Sequence, residues 1–338
     1  MSRALSISAL NTVEVGATTD QTKADLNAIG VSGGRKNLII NGGMNVAQRG
    51  TTMSNSTTST SYHTLDRWQT HGSGGTYNLS QQTMTAGTSN QTGGRSNFAR
   101  FSVITGDNNL SLRQCIEDVT IIPEGSNVTV SFYAKGTAGK VLNVFMQSLF
   151  GAGGSGSVSH SVTESDFTLT TSWVKYNISF TMPSDFLTGK TIGVGSFNRL
   201  QFRQPSSDTS TTAYTLDITG VQLELGSVAT DFEHRSYGEE LALCQRYYQA
   251  RSLHDYIAFH YSTYAYSVIP LGIEMRAAPT VTTVGQGTSY YEAGATRNFS
   301  VSGVGSSTSR VNIVGNVTGG TQGYSGTFYP VYQASAEL

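Results

Sequence analysis

The sequence predicts an all-β protein built from a β-sandwich, one connecting helix and a smaller C-terminal β-sandwich. The first observation is an apolar–polar alternation with period two, which runs from Asn37 to about His234 and is clearest in Val128–Tyr133 and Val174–Phe180. The second is the Gly-, Ser- and Asn-rich composition of the segments between these runs. Alternation of this kind indicates half-buried strands, and many short strands joined by such turns are typical of a sandwich.

The pattern divides the chain into four segments. Residues 1–36 hold little that could form a core, so we expect an extended arm with one short helix over Asp20–Gly30. Residues 37–235 are predicted to form the main sandwich, 236–250 the connecting helix and 251–338 the small C-terminal β-domain.

Two local patterns refine the end of the main sandwich. Ser236 and Glu239 have the spacing of a capping box, which predicts the start of the helix. In the run Tyr214–Gly226 the apolar residues change parity at Thr219-Gly220, so we expect a β-bulge there.

The charge balance argues against several classes of partner. The chain of 338 residues has 21 Lys and Arg against 22 Asp and Glu, a net charge of −1, with only 13% charged residues. We therefore expect no binding of nucleic acid or of an anionic membrane surface. No apolar run approaches the 18 residues of a membrane span, and the N-terminus lacks the apolar stretch of an export signal.

Residues that could take part in catalysis or metal binding are few and scattered along the sequence. Cys115 and Cys244 are expected to be buried free thiols, with a disulfide or a metal site as the alternative. The run Gly151–Gly156 matches GxGxxG but lacks the strand and helix that a dinucleotide site needs. The acidic residues are expected to bind backbone N–H groups at turns rather than to form a catalytic pair, so we predict no enzyme and no cofactor. These acidic residues are Asp66, Asp217, Glu224 and Glu233.

Four motifs carry a resemblance to a known family. The first two resemble the start of a domain common in bacteriophage virion proteins, the third resembles its end, and the fourth resembles a small module that often follows. Together they bracket residues 37 to about 281, and the first 36 residues match nothing. The motifs are NLIINGGMNVAQRGTT (37–52), YHTLDRW (62–68), VQLELGSVATDFEHRSYGEELALCQRYYQ (221–249) and MRAAPTV (275–281).

The same domain resembles the jelly-roll carbohydrate-binding modules, which implies a jelly-roll topology for the main sandwich. Asn41-Gly42-Gly43 is expected to turn the first strand through a positive φ, with Met44 returning to the core. These modules often hold a structural Ca²⁺, and the matching positions here are Asn45 and Asp217. Because Asn45 replaces a carboxylate, we expect no metal, and a Ca²⁺ site at this pair is the alternative.

Within the second motif, Asp66 and Arg67 are expected to form a local ion pair, and Trp68 is expected to pack in the core.

The resemblance implies a virion structural protein, assembled in the host cytoplasm and released by lysis. A tail fibre is the leading interpretation: a homotrimer, attached to other virion proteins through the arm, that contacts host surface polysaccharide. A head fibre or capsid decoration protein without sugar binding is one alternative. A polysaccharide-degrading tailspike is the other.

Glycan contact is predicted at the tyrosine-rich start of the C-terminal segment. Tyr256, Tyr261 and Tyr264 differ in parity along a strand, so at least one ring should face away from the core. An exposed tyrosine offers an apolar face and a hydroxyl group to a sugar. The alternative is that these rings pack a subunit seam or the small core.

Overall fold

The structure is a computed structural model that describes residues 35–338 with short gaps. The gaps in the backbone are residues 58–59, 73, 107–109, 206–207, 209–210, 253–254, 262, 284–288, 293–294, 319–324 and 329–330. The side chains of 159–164, 251–261, 283–299, 325–328 and 331 are also outside the described part. The predicted arm therefore lies outside the described residues, apart from its last two positions.

Two six-stranded antiparallel sheets form the main sandwich. The first sheet contains, in spatial order, β1 (Thr52–Ser56), β4 (Thr76–Thr83), β5 (Asn97–Thr105), β12 (Tyr214–Leu225), β7 (Asn127–Gly136) and β10 (Val174–Thr181). The second contains β2 (Thr60–Tyr62), β3 (Gln69–His71), β6 (Ser111–Ile116), β11 (Phe197–Arg203), β8 (Val141–Leu149) and β9 (Val158–Thr168). Short 3-10 helices lie at Ser89–Thr92 and Val119–Ile121.

The inward-facing residues of the two sheets interlock in one apolar core. Phe132 of the first sheet lies between Phe167 and Phe202 of the second, with ring centroids 5.1 and 4.9 Å apart. Trp68 is fully buried in the same core, as predicted, and its indole N–H donates to the Asn41 carbonyl at 3.0 Å. The predicted all-β sandwich is confirmed.

The opening stretch differs from the expected strand. Asn37–Ile40 is extended but is not part of a sheet, and the positive φ angles fall on Asn41 (59°) and Met44 (58°) rather than on the two glycines. Gly42 is required for space, because a Cβ there would lie 2.1 Å from the Val221 carbonyl oxygen. Met44 is fully buried, as predicted.

The first and third motifs lie against each other in the fold. The side-chain oxygen of Asn37 accepts hydrogen bonds from the backbone N–H groups of Ile39 (2.9 Å) and Leu223 (3.1 Å). Glu233 accepts from the Asn37 N–H at 2.6 Å, and Arg235 donates to the Asn37 carbonyl at 2.6 Å. The Asn37 side chain thus satisfies backbone N–H groups that a neighbouring strand would satisfy in a regular sheet.

Both local predictions at the end of the sandwich are confirmed. The pairing of β12 with β7 shifts register between Thr219 and Gln222, and Gly220 has a φ of 61°, as a bulge requires. The helix α1 covers Tyr237–Gln245, and the Ser236 side chain accepts from the Glu239 N–H at its first turn. The chain returns to a strand at Tyr248, earlier than the predicted end of the helix.

The C-terminal strands form two separate sheets, whereas the sequence predicted only a small β-domain. Six of them close into a barrel, in the order β14 (Asp255–Tyr261), β15 (Tyr264–Pro270), β19 (Arg310–Thr318), β18 (Ala295–Ser307), β17 (Ser289–Glu292) and β20 (Ser325–Phe328). The other three form a small sheet, in the order β13 (Tyr248–Ser252), β21 (Val331–Ser335) and β16 (Thr280–Thr283).

A buried ion pair joins the chain terminus to the main sandwich. Arg67 is 1% exposed, and its guanidinium donates to the Glu337 carboxylate and, at 2.6 Å, to the Cys115 carbonyl. The expected local pair of Asp66 with Arg67 is therefore wrong. Asp66 instead accepts from the Gln48 N–H at 2.9 Å and lies 3.9 Å from Arg49. Neighbouring residues on a turn point in different directions, so adjacency in sequence does not imply a pair.

Both cysteines are buried free thiols, as predicted. Burial raises the pKa of Cys115 and of Cys244, so both thiols stay protonated and unreactive at neutral pH.

Replacing Gly42 with alanine is predicted to destabilise the sandwich by about 1–3 kcal/mol, because the new methyl group would overlap backbone atoms. Gly43→Ala is the matched control, since its Cβ would approach the flexible Asn45 side chain to 3.2 Å and the Phe232 ring only to 3.9 Å. Chemical unfolding followed by tryptophan fluorescence measures both variants. Equal midpoints for the two would contradict the role of Gly42.

Replacing Glu337 with glutamine is predicted to cost about 3–5 kcal/mol, because a buried guanidinium loses its counter-charge. Glu239→Gln is the control, since the Arg35–Glu239 pair is solvent-exposed and should change stability by about 0–1 kcal/mol. The measurement is the midpoint of urea unfolding of the full chain. A Glu337→Gln midpoint equal to that of Glu239→Gln would show that the ion pair does not hold the terminus.

Candidate functional site

The outer face of the second sheet carries a cluster of polar and cationic side chains. Along β6, β8 and β11 the residues alternate between apolar side chains that enter the core, such as Leu112 and Phe202, and polar side chains on the opposite face. We call this surface the polar face and define it by Gln69, Arg113, Asn143, Phe145, Gln147, Arg199, Gln201 and Arg203.

Strand register places four of these residues in one row. Gln69 lies opposite Arg113, Arg113 opposite Gln201, and Gln201 opposite Phe145. Directly opposed residues in antiparallel strands have neighbouring side chains. The row therefore crosses the sheet from β3 to β8 as amide, guanidinium, amide and aromatic ring.

Arg113 is held by neutral acceptors. It is 4% exposed, and it donates from Nε to the Gln69 side-chain oxygen at 2.6 Å and from Nη2 to the Thr60 hydroxyl at 3.3 Å. Burial lowers the pKa of Arg113, the nearby positive charge of Arg199 lowers it further, and the resulting pKa is about 10. The group is still charged at neutral pH, but its charge is poorly compensated.

The accessible part of the polar face is formed by half-buried side chains on β8 and β11. Arg199 donates to the Gln147 side-chain oxygen, and burial lowers the pKa of Arg199 as well. Arg203 donates to Asn143 at 3.2 Å, and its guanidinium lies 3.9 Å from the centre of the Phe145 ring. Phe145 thus fixes a flat cationic group at the surface.

A polar cavity of about 370 Å³ lies beside the polar face, at the edge formed by β2 and β3. Its walls come from the main sandwich and from the three-stranded C-terminal sheet, and Gln69 and Thr60 link it to Arg113. The Tyr248 hydroxyl on its wall is buried and has no hydrogen-bond partner among the residues that the structure describes. The lining residues are Arg49, Thr60, Ser61, Tyr62, Gln69, Tyr248, Thr280, Thr282, Gln333 and Ser335.

The tyrosines predicted to contact glycan lie elsewhere, on the C-terminal barrel. Tyr256 and Tyr261 belong to β14, and their side chains are outside the described residues. Tyr264 on β15 is half-buried, and register places it opposite Tyr261 and Asn316. The structure brings Tyr261 and Tyr264 to the same hairpin, and their role in glycan contact stays a prediction.

The alternative calcium positions are both engaged in other contacts. The Asn45 side-chain oxygen accepts from Asn97 at 3.1 Å. Both carboxylate oxygens of Asp217 accept from Arg100, at 2.7 and 2.8 Å, and Lys135 lies 3.9 Å away. Asp217 therefore already has two cationic partners. Within the described part of the chain, no group of three or more His, Cys, Asp or Glu residues could hold a metal ion.

Carboxylates are sparse on the outer face of the second sheet. Asp166, opposite Asn143 on the edge strand β9, is the one acidic side chain that the structure describes there, and it is exposed. Glycoside hydrolysis commonly needs two convergent carboxylates. The described residues of this face supply at most one.

Sequence reasoning did not identify the polar face. A pattern was present in SLRQCI and FNRLQFR, where Arg113 in the first strand, and Arg199, Gln201 and Arg203 in the second, alternate with core residues. Alternation alone predicts only that these residues face solvent. That Arg113 and Gln201 share one row, and that no carboxylate among the described residues pairs with Arg113 or Arg199, depends on strand order and register.

Comparisons with known proteins identify no family for the chain. No family model matches it, and no curated protein matches it. Of the helices in the described part, none has the length and apolar character needed to span a lipid bilayer.

Solved structures similar to this chain include carbohydrate-binding modules. The N-terminal cellulose-binding domain of Cellulomonas fimi β-1,4-glucanase C has a TM-score of 0.30 and 14% identity, over 40% of this chain and 82% of that one. The C-terminal family 22 carbohydrate-binding module of Clostridium thermocellum Xyn10B has a TM-score of 0.32 and 14% identity, over 52% of this chain and 100% of that one.

A phage protein is also among the similar structures. The enzymatically active domain of bacteriophage CBA120 tailspike protein 4 has a TM-score of 0.34 and 13% identity, over 56% of this chain and 21% of that one. All three TM-scores lie below 0.5, so the assignment of fold rests on the strands of this chain, and no function is inferred from the three proteins.

Proposed function

We propose that the chain is a bacteriophage tail fibre protein that assembles as a homotrimer and binds host surface glycan without cleaving it. The four sequence motifs support a virion origin, since they occur in the order in which the virion domain and its following module carry them. The N-terminal arm, residues 1–36, would attach to other virion proteins and leave the sandwich and barrel exposed to the host.

The observation that carries glycan binding is the accessible part of the polar face, where the half-buried Gln147, Arg199 and Arg203 border the buried row from Gln69 to Phe145. Sugar hydroxyls can accept hydrogen bonds from guanidinium groups and can both accept from and donate to side-chain amides. The flat Arg203–Phe145 pair offers a surface against which a ring can lie. The adjoining cavity of about 370 Å³ adds hydroxyl and amide groups at the end of the row.

A binding role without catalysis is supported by the donor set of this face. Guanidinium and amide groups hold a sugar but are poor general acids or bases at neutral pH, whereas hydrolysis commonly uses two carboxylates. The contact predicted at Tyr256, Tyr261 and Tyr264 is retained as a second proposed area for glycan.

Gln147→Ala is predicted to weaken binding to host cells about tenfold, a loss of about 1.4 kcal/mol, because one amide next to a charged donor is removed. Gln82→Ala is the matched control, since Gln82 is also a half-buried strand glutamine but lies on the first sheet. Binding of fluorescently labelled full-length protein to host cells is measured for both. Unchanged binding by Gln147→Ala, with lost binding by Tyr264→Ala, would move the site to the C-terminal barrel.

Light scattering of the full chain at micromolar concentration is predicted to give three times the 36.0 kDa mass of one chain. The physical motivation is that residues 1–36 have too few apolar side chains for a core of their own and would be ordered by association. A stable monomer would contradict the oligomer, and a dimer would contradict the predicted number of three subunits.

A further inference from the structure

Arg113 and Arg199 carry charge that no described carboxylate balances. Both make hydrogen bonds to neutral oxygens, Arg113 to Gln69 and Thr60 and Arg199 to Gln147. Neither takes part in an ion pair formed by described residues, in contrast to Arg67, Arg100 and Arg235.

The two guanidiniums are close enough to repel each other. Register places Arg113 opposite Gln201 and Arg199 opposite Cys115, so the two arginines are diagonal neighbours on adjacent strands. The positive charge of Arg199 contributes to the lowered pKa of Arg113. Placing two like charges in a partly desolvated site costs free energy that a merely structural face could avoid by using glutamine.

One donor on this pair has no acceptor among the described residues. Nε of Arg199 is buried and makes no hydrogen bond within the described part of the chain, while the residue as a whole is half-exposed. Part of the Arg199 side chain can therefore be reached from solvent. An oxyanion placed there would accept a charge-assisted hydrogen bond from Arg199 and reduce its repulsion with Arg113.

The positive charge of Arg113 and Arg199 is a local feature and does not reflect the net charge of the chain. The whole chain has a net charge of −1, so its surface as a whole does not attract polyanions. An attraction for anions would therefore come from this face and not from the net charge of the chain.

We infer that the glycan bound by the polar face is acidic, with a carboxylate or sulfate group seated beside Arg199 and Arg113. This inference rests on the proposed glycan-binding function and adds the chemical class of the ligand. On the same face, Phe145 lies one alternate position from Gln147 along β8, and Arg203 lies two alternate positions from Arg199 along β11, where this pair can contact the ring of an adjoining sugar.

Affinity electrophoresis of the full chain tests this inference with two matched pairs of polymers. Polygalacturonate is compared with its methyl ester, and dextran sulfate with dextran. We expect at least tenfold tighter retention by one acidic polymer than by its neutral counterpart, with retention falling as NaCl is raised. The pair that shows the preference identifies the anionic group.

Three variants separate a specific site from general attraction. Arg199→Gln is expected to bring the acidic-to-neutral ratio close to one, and Arg199→Lys is expected to preserve part of it. Arg246→Gln removes the same charge from an exposed position and should leave the ratio unchanged. Circular dichroism shows that each variant is folded.

The outcomes distinguish this inference from the function on which it rests. Equal retention by acidic and neutral polymers overturns the acidic ligand and leaves glycan binding standing. An equal effect of Arg246→Gln and Arg199→Gln also overturns it. Retention by none of the four polymers, together with no binding to host cells, overturns both proposals.

Discussion

The buried contact between Arg67 and Glu337 is the constraint on which the arrangement of the two halves of the chain depends. It joins residues 270 positions apart, and it lies under the Tyr247 ring, whose centre is 3.5 Å from the guanidinium carbon. Arg67 also has a φ of 69°, a conformation that costs free energy for any residue with a side chain. The strain and the desolvation are tolerated because a carboxylate from the far end of the chain compensates the charge. One wall of the polar cavity is held in place by this contact.

The buried residues Arg67 and Arg113 have opposite charge environments. Burial alone would lower the pKa of Arg67, but the Glu337 carboxylate together with Tyr62, Tyr247 and Cys115 outweighs burial, and the net direction is upward. For Arg113 burial and a second guanidinium act together, and the pKa falls to about 10. The first environment stabilises a fold. In the second, the poorly compensated charge of Arg113 costs free energy in the folded chain, and strongly shifted pKa values of this kind are common at functional sites.

The sequence predicted those features that depend on neighbours along the chain. The sandwich strands, the bulge at Gly220 and the Ser236 cap follow from parity, glycine and capping chemistry within a few residues. The Glu337 partner of Arg67 could not be predicted, because nothing local links the two. The polar face was missed for the same reason: its row combines four strands whose order in the sheet, β3-β6-β11-β8, is not their order in sequence. The turn at the NGG motif was predicted, but its first glycine is needed for close backbone packing and not for a positive φ.

The position of the cavity has a consequence for the coupling of the two halves. Thr60 and Gln69 on one wall belong to the main sandwich, whereas Thr282 and Gln333 on the other belong to the three-stranded sheet. A ligand that contacts both walls binds only when the halves are docked, and it therefore stabilises the docked state by its own binding free energy. For such a ligand, less of the binding free energy would be spent on ordering the walls, because Arg67 and Glu337 already join the two halves. The junction would then both hold the fold together and preorganise the end of the polar row.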